Sequence, residues 1–123
     1  MHTVASIEKF EDIEAWQKTR QLTKLIYQIT SNGLWAKDFG LRDQIRRASV
    51  SAMSNIAEGF ARKGDIEFAR FLSISRASLA EVKSQMYVGL DLGYVDQSTF
   101  ADICKLTDSS AGLISGLMRY LKK

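Results

Sequence analysis

The 123-residue chain has a formal net charge of +3, with 46% hydrophobic and 25% charged residues, the balance of a soluble globular domain. It contains no proline, eight glycines, one cysteine and one histidine. That inventory excludes an intrachain disulfide and disfavours proline- and glycine-punctuated hairpins, and no apolar run approaches the roughly 20 residues a bilayer span needs. The start, MHTVASIEKFEDIEAW, lacks the basic and apolar regions of a signal peptide, and the lone Cys104 fits a reducing, cytoplasmic setting.

Residues 1–11 read as a loose arm, and Asp12 as the N-cap of a first helix from Ile13 to Thr30. Leu22, Ile26 and Ile29 form its buried face, flanked by Trp16, Leu25 and Tyr27, with Trp16 closing one end of the core. Ser31, Asn32 and Gly33 end the helix, Gly33 suiting a left-handed C-terminal cap, and Leu34 and Trp35 fall in the following loop. Asp38 caps a second helix that runs to Arg62, on the order of 35 Å. Its apolar stripe is Leu41, Ile45, Ala48, Ala52, Ile56 and Phe60. A neighbouring polar stripe carries Arg47, Ser51, Ser54, Glu58 and Arg62, with Asn55 beside it. Small residues between the stripes, among them Ser49, Ala57, Gly59 and Ala61, allow close approach and predict a central position.

Lys63, Gly64 and Asp65 make a tight turn, with Asp65 as the next cap. The third helix spans Ile66 to Asp91 on a near-heptad seam of Phe68, Leu72, Ser75, Leu79, Val82, Met86 and Leu90, widened by Phe71 and Ile74. Gly93 reads as a stop and Asp96 or Ser98 as a cap. The fourth helix, Thr99 to Leu121, buries Phe100, Ile103, Thr107, Ile114, Leu117 and Leu121 and ends in Arg119, Lys122 and Lys123, which complement its dipole. Four amphipathic helices on short loops predict an all-α, antiparallel up-down-up-down four-helix bundle, one domain over residues 1–123.

Chemistry is scarce in this inventory. The single histidine, His2, lies in the arm, which leaves no base for triad chemistry and no Glu-x-x-His metal pair. No phosphate loop is present, and Cys104, beside Phe100 and Ile103, reads as an inert core thiol. No enzyme activity, metal or cofactor is therefore expected. The polar stripe of Arg47, Ser51, Ser54, Asn55 and Glu58 reads as a structural network that pairs with other helices or other subunits, because Glu58 would repel a phosphate. Arg42, Arg46, Arg62, Lys63, Arg70 and Arg76 concentrate positive charge mid-chain and are the freer candidates for RNA or DNA.

Three segments resemble the bacterial 23S rRNA-intervening-sequence proteins, a ribosomal-protein-like family: FEDIEAWQKTRQLTKLIYQIT, GLRDQIRRASVSAMSNIAEGFAR with its SNIAEG core, and EFARFLSISRASLAEVKSQMYVGLDLGYV. Ala52 and Met53 stand where that family commonly has an isoleucine–proline pair, Ala77 replaces a usual glycine, and the loop at Asn32 to Trp35 lacks the usual proline. The resemblance implies an all-α protomer that assembles into a homopentamer, without enzymatic activity. A related branch implies nucleic-acid binding through a basic surface and partnership with a reverse transcriptase. The expected function is a cytoplasmic, oligomeric bundle that binds nucleic acid weakly, or alternatively a protein-interaction adaptor.

Overall fold

The computed structural model describes residues 7–122, which are helical almost throughout and contain no strand. A single 3-10 turn at Phe10–Asp12 precedes α1 (Glu14–Ile29), the short α2 (Gly33–Lys37), α3 (Phe39–Ala61), α4 (Asp65–Asp91) and α5 (Gln97–Leu121). The four long helices form the expected antiparallel bundle: each packs on the next, and α5 returns to α1 to close the square. Its core is Leu22 and Ile26 of α1, Ile45, Ala52 and Ile56 of α3, Leu72, Leu79, Val82 and Met86 of α4, and Ile103 and Ile114 of α5. α3 is continuous through Ala52 and Met53, where no proline interrupts its hydrogen bonds.

Several element boundaries differ from the expectation. Asp12 ends the 3-10 turn, and Ile13 occupies the N-cap of α1 without a side-chain cap. Ile13 is buried, and burying an isoleucine is worth more than a cap of about 1 kcal/mol, so the apolar anchor sets where the helix begins. Ile7 and Phe10 also pack on the core, and the rest of the expected arm, residues 1–6 with His2, lies outside the described residues, as does Lys123. Gly33 is left-handed as expected (φ +63°), but Thr30 is the C-cap of α1 and Gly33 opens α2. At the α3–α4 turn Lys63 takes the left-handed conformation (φ +59°), Gly64 is the N-cap, and Asp65 begins the helix.

Leu34 and Trp35 do not lie in a loop: both sit in α2, where Trp35 is fully buried. Its ring lies on Gly89 of α4 so closely that an added Cβ there would come within 2.5 Å of the indole carbons. Tyr94 packs on the same indole at a tilt, with centroids 5.7 Å apart, and its hydroxyl donates to Asp38 Oδ2 at 2.9 Å. That hydrogen bond pushes the Tyr94 phenol above its ordinary range. Asp38 Oδ1 meanwhile accepts from the Leu41 N–H at 3.1 Å, so one carboxylate caps α3 and ties down the α4–α5 connection.

The α3–α4 seam is narrow because its side chains are small. The Ser75 hydroxyl donates to the Ala52 carbonyl, Ser51 and Ser78 share a hydrogen bond of 2.9 Å, and a Cβ at Gly59 would meet Phe71 Cβ at 2.6 Å. Buried hydroxyls elsewhere find partners within their own helix, as Thr19 does with Ala15 and Thr107 with Ile103.

Replacing Gly89 by alanine is expected to destabilise the bundle by about 1–3 kcal/mol in urea unfolding, because displacing a rigid indole outweighs the roughly 1 kcal/mol gain in helix propensity. Trp35→Ala is expected to remove about 3–5 kcal/mol. Asp96 caps α5 through the Thr99 N–H at 2.7 Å, and the hydrogen bonds from Thr99 hold its carboxyl below the usual range. A lowered folded value means the cap stabilises above the unfolded carboxylate pKa and loses that contribution as pH falls through the folded one. The melting temperature of Asp96→Ala should accordingly lie below wild type at neutral pH, with the gap narrowing in acid.

Candidate nucleic-acid interface

The basic residues that lie together in the sequence are dispersed by the fold to three places. Arg42 and Arg62 are both on or next to α3 but stand on the order of 30 Å apart, a consequence of helical rise alone. Arg62 and Lys63 lie at the α3–α4 turn: the Arg62 guanidinium rests over Phe71 at 5.0 Å, and Lys63 borders an open cleft of about 480 Å³ that Glu8, Asp65 and Tyr120 also line. On α4, Arg70 pairs with Glu67 at 3.0 Å and Arg76 donates to Ser115 of α5 at 3.2 Å. No single groove gathers all six.

The polar stripe of α3 also divides. Ser51 and Asn55 enter the α3–α4 seam, where Asn55 Nδ2 donates to the Ser51 carbonyl at 2.9 Å and to its hydroxyl at 3.0 Å, and Ser51 reaches Ser78. Arg47, Ser54 and Glu58 are exposed and make no side-chain hydrogen bond or ion pair within the protomer among the described residues. Within the protomer the hydrogen-bonded part of the stripe is Ser51 and Asn55, which Ser78 of α4 joins. The two charges stay on the outer face, where water solvates them and no desolvation has to be offset. Arg47 borders a groove of about 430 Å³ with Asp43, Gln44, Glu81 and Gln85.

Arg42 and Arg46 are not the loose cations that their place in the sequence implies. Both lie one turn apart on the side of α3 that faces α1, and both are held. Arg46 donates from Nε to Thr30 Oγ1 at 2.8 Å and from Nη2 to Ser31 Oγ at 3.0 Å, and its guanidinium stacks over Tyr27, 4.5 Å from the ring centroid. Each partner is a neutral group at the end of α1, so the charge of Arg46 is fixed in place without a carboxylate. Arg42 donates from Nη1 to the Ala36 carbonyl at 3.1 Å and from Nε to Asp43 at 3.2 Å, and lies 4.8 Å from the Phe39 ring centroid. Farther along α1, the Arg20 guanidinium sits 5.6 Å from the Trp16 ring centroid, and Lys24 is exposed between Arg20 and Tyr27.

The α1–α3 edge therefore presents arginines whose geometry is set by hydrogen bonds and by aromatic rings. Arg46 Nη1 and Arg42 Nη2 make no hydrogen bond within the protomer among the described residues, so each guanidinium keeps donors for an incoming phosphate oxygen. Sequence reasoning passed over Arg20, Tyr27 and Phe39. The signal was present in part: Trp16, Arg20 and Tyr27 follow helical spacing along one side of α1. Among the described residues no cluster of three or more His, Cys, Asp or Glu could hold a metal ion, and burial pushes the Cys104 thiol up. No described helix is long and apolar enough to cross a membrane.

No curated protein matches the chain. A crystal structure of a protein of unknown function from the S23 ribosomal protein family of Bacteroides thetaiotaomicron superposes with a TM-score of 0.78, covering 85% of this chain and 98% of that one at 18% identity. Likeness at that identity speaks for the four-helix fold. The profile described as 23S rRNA-intervening sequence protein matches residues 11–116, nearly the whole bundle from the 3-10 turn to the last turns of α5, and the chain therefore belongs to the 23S rRNA-intervening sequence protein family.

Proposed function

We propose that the protein is a non-enzymatic, self-assembling helical bundle of the cytoplasm that binds nucleic acid weakly through phosphate contacts on its α1–α3 edge. The observation that carries this reading is Arg46: a guanidinium immobilised by Thr30, Ser31 and Tyr27 and lacking a counter-charge. A phosphate that meets it does not have to order a free side chain, so little rotamer entropy is lost on binding. Arg42 adjoins it one turn away, and Arg20 and Lys24 extend the same edge. Arg62, Lys63, Arg70 and Arg76 lie elsewhere on the bundle and serve as outlying contacts to a longer polyanion.

A mobility-shift titration at rising salt tests this. Binding should fall steeply with salt, and Arg46→Gln or Arg42→Gln should each weaken it several-fold and lower the salt slope by about 1. Failure to bind RNA or DNA at low salt would remove the proposal.

Self-assembly, with a protein-interaction adaptor for another protein as the alternative, draws on the outer side of α4, where Ile74, Val88 and Leu92 share one exposed stripe, 47%, 43% and 53% accessible. The occupant best suited is a second copy of this chain, and five copies is the number the family resemblance implies. Light scattering should give the mass of an oligomer for the wild type and of a monomer for a Val88→Glu, Leu92→Glu variant. A monomeric wild type would leave the stripe to a different protein.

A further inference from the structure

We infer that the α1–α3 edge reads single strands, its exposed rings stacking on unpaired bases while the fixed arginines hold the flanking phosphates; the inference rests on the nucleic-acid reading above. Among the described residues, three of the four arginine–aromatic stacks lie along this edge: Arg42 on Phe39, Arg46 on Tyr27 and Arg20 on Trp16. The fourth, Arg62 on Phe71, joins the end of α3 to α4 instead.

The rings against Arg42 and Arg46 are not core residues. Phe39 is 64% exposed and Tyr27 is 41% exposed. An exposed phenylalanine in the first turn of α3 lies outside the core, and the Arg42 guanidinium rests 4.8 Å from its ring centroid. Such a stack steadies the ring and leaves much of its surface available. A single strand offers a phosphate and a base at every nucleotide, and on this edge two rings, Phe39 and Tyr27, flank two cations, Arg42 and Arg46.

Duplex bases are stacked on one another and cannot lie against a protein ring unless they are unpaired, so the rings add affinity only for single strands. Stacking is indifferent to base identity, and phosphate contacts carry no sequence information. The strand bound should therefore be read by form rather than by sequence. Other surfaces suit this ligand less well: the groove beside Arg47 contains Asp43 and Glu81, and the cleft beside Lys63 contains Glu8 and Asp65.

Fluorescence anisotropy with labelled oligo(U), oligo(dT) and an oligo(dA)·oligo(dT) duplex tests the inference on the full-length protein. Both single strands should bind about tenfold more tightly than the duplex. Tyr27→Leu and Phe39→Leu keep an apolar side chain at exposed positions and so leave folding intact, which thermal melting checks. Each should lower single-strand affinity about five- to tenfold and duplex affinity by less than about twofold, whereas Arg46→Gln should weaken both. Equal affinity for single strands and duplex, or leucine variants that bind single strands as wild type does, would overturn this inference and leave the proposed function standing. No binding to any of the three probes would overturn both.

Discussion

Close approach of α3 to α4 is the constraint on which the rest of the molecule depends. It is made possible by Ala52, Gly59, Ser75 and Ser78, side chains small enough for a hydroxyl on one helix to reach the backbone or a hydroxyl of the other. A larger residue at Gly59 would meet Phe71 before the helices had closed. Once that seam is set, the rotation of α3 about its own axis is set too. The side bearing Ser51 and Asn55 is committed to α4, and the side bearing Phe39, Arg42 and Arg46 is turned toward α1.

The bundle is locked at one end by aromatic packing. Trp35 lies on Gly89, Tyr94 stacks on Trp35, and Asp38 joins Tyr94 to the first turn of α3. This corner is adjacent to the basic edge, and the two are connected: Arg42 donates to the carbonyl of Ala36, the residue after Trp35. A surface arginine is thereby oriented by the same short helix that fills the core. Rigidity of the arginine edge follows from core packing, which gives binding geometry without a dedicated loop.

Charge and stability are separated in this fold. The ion pairs that occur, such as Lys83 with Asp108 and Arg70 with Glu67, are exposed and contribute little. Among the described residues the buried hydroxyls are each bonded to a backbone carbonyl or to another hydroxyl. Arginines are consequently not needed to hold the core together. Their stacking on exposed rings positions them, and the bundle serves as the scaffold that keeps them there.

Much of the architecture was legible in the residues themselves. Apolar spacing in α3, α4 and α5, the absence of proline, and the caps at Asp38 and Asp96 determined four long helices and their antiparallel order, since helical periodicity and capping are local properties. Trp35 could not be placed that way: α2 is too short to show a period, and only packing against Gly89 makes its burial favourable. The candidate site was less legible still. Proximity in sequence grouped Arg42 with Arg62, whereas helical rise parts them and interhelical packing joins Arg46 to Tyr27, Thr30 and Ser31 of α1. Residue types determined that the surface is rich in arginine; which arginines are held without a counter-charge was decided by the contact between two helices, a property no local pattern encodes.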